Sequence, residues 1–514
     1  MRKIGTIFVV GLLLVGFVFA GGIVTNGNQS ADYVRMLNRN VSTDLDAVYF
    51  NPAGLTGLND GLHFYLSSQT VYQSRTITSD VQTLNSDTFE GYTFAPVFPN
   101  FYLAYKTGNL AIGAGFIPIG GGGSAVFEDG LPSFEAPISA LKSMLAPAGV
   151  TGYSLDIDFD GSSLYMGGQA VVSYKINDMI SVAGGARYFV ANNTYKGHLK
   201  DIMVSTAAGN FIPGDVLRGV AASLTTGASN LQPLIDGGAS GFTLAQVEGA
   251  GFMDAATRAQ VEGGLLSLGL PQAQIDAMTI AQIQGAYALG AAGYNAQASG
   301  LDAATADIEV DTKQTGSGFA PIFGLYLTPM EGFDIGLRYE GKAAMTLTNE
   351  TKVDGSGLFT DGEETGADMP AMLGAGVAFT VTPSLRFVAD LNYYFNKGVD
   401  WDGKEDYLTD GMEIGAGFDF AVSEALQLSA GFLRTINSGA LPRYHTDLSH
   451  TFTSSTIGAG GRYYLNNNLY LSFGVSNTFY DDLYNTGVDY GSMLGNETYD
   501  KTALDVAIGI GFSR

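Results

Sequence analysis

Hydrophobic and polar residues alternate along most of this chain. In ALDVAIGIGF, Leu504, Val506, Ile508, Ile510 and Phe512 share one face, and Ala503, Asp505, Ala507, Gly509 and Gly511 share the other. MEIGAGFDFAV sets Met412, Ile414, Ala416, Phe418, Phe420 and Val422 against Glu413, Gly415, Gly417 and Asp419. FDIGLRYEGK sets Phe333, Ile335, Leu337 and Tyr339 against Asp334, Gly336, Arg338 and Glu340. A period of two predicts β-strands with a different solvent on each face. The strands are joined by very short turns at Thr107-Gly108-Asn109, Asn177-Asp178, Pro329-Met330-Glu331, Thr382-Pro383-Ser384, Ser423-Glu424-Ala425 and Asn466-Asn467-Asn468. Between the hairpins lie long connections, near 78–97, 119–161, 201–303, 353–367, 399–409, 439–451 and 484–497. Short and long alternate throughout, over about fourteen strands, an even number as closed bacterial barrels require. The reading is all-β: a 14-stranded antiparallel transmembrane β-barrel with both termini on the short-turn side. A secreted soluble β protein is the alternative, since sandwiches also alternate. Their loops do not segregate by length in this way.

Two connections carry a different rhythm. Residues 131–147, LPSFEAPISALKSMLAP, show helical apolar spacing after Pro137. Residues 205–300 are rich in Ala, Gly, Leu and Gln, and TLAQVEGA (243–250) recurs as TIAQIQGA (279–286). Each copy opens on Thr with Gln three residues on, the pattern of a capping box. The insertions 119–161 and 201–303 are therefore expected to be partly helical and extracellular. Leu265, Leu266, Leu268, Leu270, Met278, Ile280 and Ile283 must bury against a core of their own, the barrel rim or a ligand.

The first residues read differently again. MRK is a basic start, IGTIFVVGLLLVGFVF an apolar run, and Val18-Phe19-Ala20 ends on a small residue. This is the pattern of a secretory signal peptide, 1–20, cleaved after Ala20; an uncleaved anchor helix is the other reading. No later stretch reaches ~18 uninterrupted apolar residues, so no further spanning helix is expected.

Composition narrows the class. Charged residues make 15% of the chain, against about 25% in an ordinary soluble domain. The formal net charge of −25 excludes a nucleic-acid partner by simple repulsion. The chain has no cysteine, hence no disulfide or thiolate metal site. Tyr and Phe, 27 and 31 residues, supply interface girdles, and the 70 Gly leave many lumen positions empty of side chain.

Between leader and first strand stands DAVYFNPAGLTGL, residues 46–58. Pro52 lacks an amide hydrogen, and it biases Asn51 toward extended geometry, so the segment carries a fixed bend. A cleaved leader, about forty residues containing FNPAGL, then fourteen strands with helical insertions in the third and fifth connections, resembles the FadL-type family of outer-membrane transporters for long-chain fatty acids and other hydrophobic molecules. The resemblance spans nearly the whole chain. It implies an N-terminal hatch, here 21–60, folded into a barrel of 61–514, with the family's Asn-Pro-Ala motif at Asn51, Pro52 and Ala53. A barrel this wide needs such a filling to avoid an aqueous lumen; a loose periplasmic tail is the alternative. Two features depart from the family pattern: the 205–300 insertion is long, and the chain continues past Phe512 to Ser513-Arg514.

The resemblance implies uptake in three steps: capture of a ligand among extracellular helices, transfer to a lumen pocket beside the hatch, and lateral release through the wall into outer-membrane lipid. A long-chain fatty acid is the expected ligand, with no cofactor and with the barrel assembly machinery as partner. The third strand, LAIGAGFIPIGGGG, joins Pro118 to a glycine run. Proline removes a ladder donor and glycine weakens a strand, so Gly115, Pro118 and Gly120 are candidates for the lateral gap, with a flexible loop start as the alternative. A fatty carboxylate wants a cation. By parity Arg187, Arg338, Lys342, Arg386 and Arg462 face the lumen, where acids such as Glu340, Asp390 and Asp419 are expected to pair with most of them. Arg187 and Arg338, in mid-strand, are the ligand candidates.

Other signals are weaker. DIDFDG (156–161) starts like a calcium loop, but the twelfth ligand would fall on Gly167; whether calcium binds near Asp156–Asp160 stays open. GGGGS lacks the Lys-Ser/Thr of a phosphate loop. His445 and His450 with Asp447 do not complete a metal site. No hydrolase spacing is present, so the chain reads as a non-enzyme, with an outer-membrane lipid enzyme built from distant residues as the enzyme-class alternative. A general diffusion porin and a barrel-based surface adhesin are the competing functions.

Overall fold

The computed structural model describes residues 30–437, 445–447, 452–491 and 493–514. The expected leader 1–20, its cleavage after Ala20, hatch residues 21–29 and His450 lie outside the described residues. Two compact units are present: one comprises 136–156 and 199–307, the other the remaining described chain.

The larger unit is a barrel. The strands, in chain order, are β1 (Gly61–Ser79), β2 (Thr88–Thr107), β3 (Leu110–Phe127), β4 (Val150–Asn177), β5 (Ile180–Thr206), β6 (Gly209–Phe211), β7 (Ile308–Met330), β8 (Phe333–Glu340), β9 (Thr346–Asp354), β10 (Glu364–Gly366), β11 (Met372–Thr382), β12 (Leu385–Tyr394), β13 (Gly411–Ala421), β14 (Leu426–Ile436), β15 (Ser454–Asn466), β16 (Leu469–Tyr480), β17 (Leu483–Asp489) and β18 (Leu494–Ser513). Fourteen of them form the wall: β1 to β5, β7, β8, β11 to β16 and β18, which pairs back onto β1. Closure runs from His63↔Ser513 to Ser79↔Glu497. The two residues beyond Phe512 belong to this seam, for Arg514 N–H donates to Leu62 O at 2.8 Å. The four remaining strands extend hairpins.

Parity holds as the sequence predicts. Leu504, Val506, Ile508, Ile510 and Phe512 are exposed on the outer face, while Ala503, Asp505 and Ala507 are buried. All six predicted short turns lie between consecutive wall strands. Two of the long connections are shorter than the pattern suggests. That expected at 78–97 shrinks to 80–87, and that at 119–161 to 128–149, because β1 to β4 run on. Strand ends beyond the apolar band have polar residues on both faces, so their period carries no hydrophobic signal. The helix Pro132–Met144 also runs through Pro137 rather than starting after it.

The smaller unit is helical, with helices Pro213–Asn230, Leu244–Gly249, Ala255–Ser267, Gln272–Ala277 and Ile280–Ala304. Both capping boxes form, Thr243 with Gln246 and Thr279 with Gln282. The two caps meet in an antiparallel bridge, Thr243↔Thr279. The Ala-Gln-Val/Ile element in fact occurs four times, and its Val247, Val261, Ile275 and Ile283 are all buried in one core with Leu265, Ile280 and Tyr287. The apolar residues of the insertion thus bury largely against one another; Leu266 stays exposed.

Candidate functional site

Residues 30–58 occupy the barrel lumen, in the half nearer the short turns. Ser30 caps the helix Ala31–Arg35 by accepting from Tyr33 N–H at 3.1 Å. The helix Ala47–Phe50 follows, and then a 3-10 turn, Pro52–Gly57. Asn51 is extended, with φ −149° and ψ 96°, as the residue before a proline should be, and its side chain accepts from Ala53 N–H at 3.3 Å. The same side chain donates to Asn40 O at 3.0 Å and to Leu325 O of β7 at 3.2 Å. Asn51, Pro52 and Ala53, all buried, therefore fix both the bend and its seat on the wall.

Charged side chains hold the segment. Asp32 receives Arg35 at 2.9 Å, Arg462 of β15 at 2.7 Å and Ser472 of β16 at 2.8 Å. Burial by itself would raise this carboxyl; Arg462 and Arg35 beside it outweigh burial and hold it at about 2. Arg35 reaches Asp419 at 2.6 Å. Arg39 ties the segment to itself through Asp44 and Asp46, at 2.7 Å each. Asn40 N–H donates to Asp390 at 2.8 Å, Ser173 to Pro52 O at 2.5 Å, and Gln169 to Val48 O. The barrel makes room with glycines. A Cβ on Gly336 would collide with Asn40 O, one on Gly324 would come within 2.5 Å of Asn51 Oδ1, and one on Gly458 would meet Val34 O. The sequence pointed to inward arginines but not to these partners. Their signal was the charge-rich run ADYVRMLNRNVSTDLD, residues 31–46, ahead of the first strand.

A cavity of ≈ 40 Å³ lies between the segment and the wall. Arg187 of β5 and Arg338 of β8 both line it, facing inward as their parity predicted. Both are bound to one acid: Arg187 pairs with Glu340 at 2.6 Å, and Arg338 pairs with the other Glu340 oxygen. Arg187 also donates to Gln169 at 2.9 and 2.7 Å. The two guanidinium groups lie 4.6 and 5.0 Å from the ring centroid of Tyr49, which belongs to the plugging segment. Of the other inward cations, Arg386 pairs with Asp334 at 2.9 Å, Lys342 with Asp368 at 2.8 Å and Arg462 with Asp32 and Asp44. Asp390 departs from expectation: among the described residues it makes no ion pair.

The wall is interrupted beside this cavity. β2 and β3 pair from Thr107↔Leu110 to Phe101↔Phe116, and then only at Tyr92↔Val126. Between those points the register of the two strands is irregular. Gly115 lies within the paired part, opposite Tyr102, while Pro118 and Gly120 fall in the interval. The β3–β4 register slips on either side of Gly120. On β2, Pro96 and Pro99 border the same interval and the β1–β2 register slips between Gln69 and Val71. Three prolines, two of them not singled out from the sequence, withdraw ladder donors from one patch of wall. Asn100, at its edge, accepts from Ser67 at 2.8 Å, and Ser67 Oγ accepts from Ala31 N–H at 3.2 Å. The interval and the plugging segment are thus linked by hydrogen bonds.

No protein-family model matches the sequence, and no curated protein matches it. Solved structures do match the fold. A Pseudomonas aeruginosa FadL homologue aligns over 97% of this chain and 99% of its own, with a TM-score of 0.56 and 12% identity. The Pseudomonas putida toluene transporter TodX aligns over 96% and 99%, with a TM-score of 0.53 and 12% identity. A closed fourteen-stranded wall, aligned over nearly the full length of both comparison structures, gives this chain the fold of the FadL-type outer-membrane transporters.

Proposed function

We propose that the protein takes up hydrophobic molecules across the outer membrane and releases them sideways through its wall. One observation carries this reading: an interval of wall in which the β2–β3 register breaks, holding Pro96, Pro99 and Pro118, lies beside a lumen that residues 30–58 partly occupy. An aqueous pore needs the lumen clear, and a strong barrel needs its ladder whole. This barrel has neither, which suits a ligand that leaves into lipid. The apolar outer face places it in a bilayer, and the comparison structures include a toluene transporter and a FadL homologue, both consistent with a hydrophobic cargo. Residues 21–60 act as a hatch around the Asn51-Pro52-Ala53 bend, and capture falls to the helical insertions, as the sequence resemblance implies.

A long-chain fatty acid is the cargo that the sequence resemblance implies. It requires Arg187 or Arg338 to exchange Glu340 for the ligand carboxylate. The release step is tested by restoring donors to the wall. A variant with Pro96→Val, Pro99→Val and Pro118→Val should assemble, as read by its heat-dependent gel shift, and lose uptake of a labelled hydrophobic compound by about tenfold or more. Uptake equal to that of the unaltered protein removes release from this patch.

A further inference from the structure

The charges around the lumen cavity are unevenly matched. On the cationic side, Arg39 is held by Asp44 and Asp46, and Arg187 and Arg338 share Glu340. On the anionic side, Asp390 and Glu413 also line the cavity; among the described residues neither makes an ion pair, and Arg39 acts on Asp390 only from a distance. Asp390 is 7% exposed; one oxygen takes the Asn40 N–H, and Oδ1 has no hydrogen-bond partner among the described residues. Glu413 takes neutral donors only: Tyr394 at 2.8 Å, Asn392 at 3.0 Å and Thr435 at 3.3 Å. The rings of Tyr33, Tyr49, Phe50 and Tyr394 form much of the remaining wall. Arg338 Nε is the opposite case, a buried donor without a partner.

We propose that this cavity receives the head group of an amine-bearing hydrophobic molecule. The inference rests on the uptake reading above and names its cargo. An ammonium satisfies Asp390 Oδ1, neutralises the facing carboxylates and lies among aromatic rings, three favourable terms of the same sign. A carboxylate meets three like charges, on Glu340, Asp390 and Glu413, and it gains a cation only by displacing an acid from a paired arginine. The ≈ 40 Å³ of room suits a head group and not a chain. Ile119, Met369 and Met372 supply the apolar side, and Ile119 lies on β3 where the β2–β3 register breaks, so the tail points toward the proposed exit.

The experiment is a competition. Full-length protein in neutral maltoside micelles is incubated with equal amounts of dodecylamine, dodecanol and dodecanoate and washed, and the retained compounds are measured by mass spectrometry. Dodecylamine should exceed dodecanoate by about tenfold or more, the scale of one hydrogen bond to a charged group, with dodecanol between. The paired change Asp390→Asn and Glu413→Gln should abolish that preference. Glu340→Gln, which frees two guanidinium groups, should raise dodecanoate retention by about tenfold. Dodecanoate retained as well as dodecylamine overturns the inference and leaves the uptake reading standing. An amine preference unchanged in the Asp390→Asn, Glu413→Gln protein also overturns it, since retention is then attraction to the acidic surface. Retention of none of the three overturns both readings. If Glu340→Gln fails to fold, the paired variant decides.

Discussion

Asp32 shows what one buried carboxylate does in this lumen. It is 1% exposed and joins the plugging segment to two wall strands through Arg462 and Ser472. Asp32→Asn removes one of the acids that hold Arg35 and Arg462, which keep Asp419 and Asp44, so the change stays below about 3–5 kcal/mol, the cost of leaving a buried charge unpaired. The segment should loosen, and the expected result is a rise in single-channel conductance in planar bilayers while the barrel stays assembled. Acid should not mimic this. A carboxyl depressed from 3.8 to about 2 contributes fully above its unfolded value and is lost only as pH falls through about 2. Conductance is therefore expected to stay flat between about pH 8 and pH 5 as far as Asp32 governs it. That Arg462 faces inward and meets an acid was legible from strand parity. That the acid is Asp32 was not, because the contact spans 430 residues and no local pattern records it.

At the scale of the element, the wall strands are shaped as much by omission as by side chains. Gly336 on β8 and Gly458 on β15 lie against the backbone of residues 30–58, and any larger side chain would occupy its space. Gly336→Val or Gly458→Val should displace the segment and raise conductance, whereas Gly168→Val, with nothing within 4 Å of its Cβ position, should leave it unchanged. The same comparison separates loss of seating from general weakening of strands by a β-branched residue. The third strand was marked in the sequence by Pro118 and its glycines. Its partner was not, because APVFPN (95–100) reads by itself as part of a loop. Only the pairing of β2 with β1, and the break in its register with β3, shows these prolines to lie in one patch of wall.

For the whole molecule, the helical unit and the barrel each have their own buried core. The ends of the insertion approach each other closely, as Asp201 N–H donates to Asp307 at 3.2 Å. Replacing residues 209–306 with a short glycine-serine turn should therefore leave a barrel that still shifts on a gel when heated. Loss of uptake in that protein would assign capture to the insertion, and retained uptake would assign it elsewhere. An excised barrel that fails to assemble contradicts the independence of the two cores.

Alternation with a period of two, in strands joined by short turns on one side and long connections on the other, determined the barrel, its strand number and the direction of most wall side chains. These are properties of a chain between lipid and lumen, and each residue records them through its own solvent. The same local chemistry specified the Asn51-Pro52 bend and both Thr-Gln helix caps, which depend on neighbours a few positions away. Tertiary structure alone decided that Arg187 and Arg338 share Glu340 across Tyr49, that Asp390 and Glu413 face a cavity without an ion pair, and that three prolines on two strands interrupt one patch of wall. Each of these is a meeting of residues far apart in sequence, set by barrel register and by the path of residues 30–58, and charge balance in a closed space depends on which groups meet rather than on which groups the chain contains.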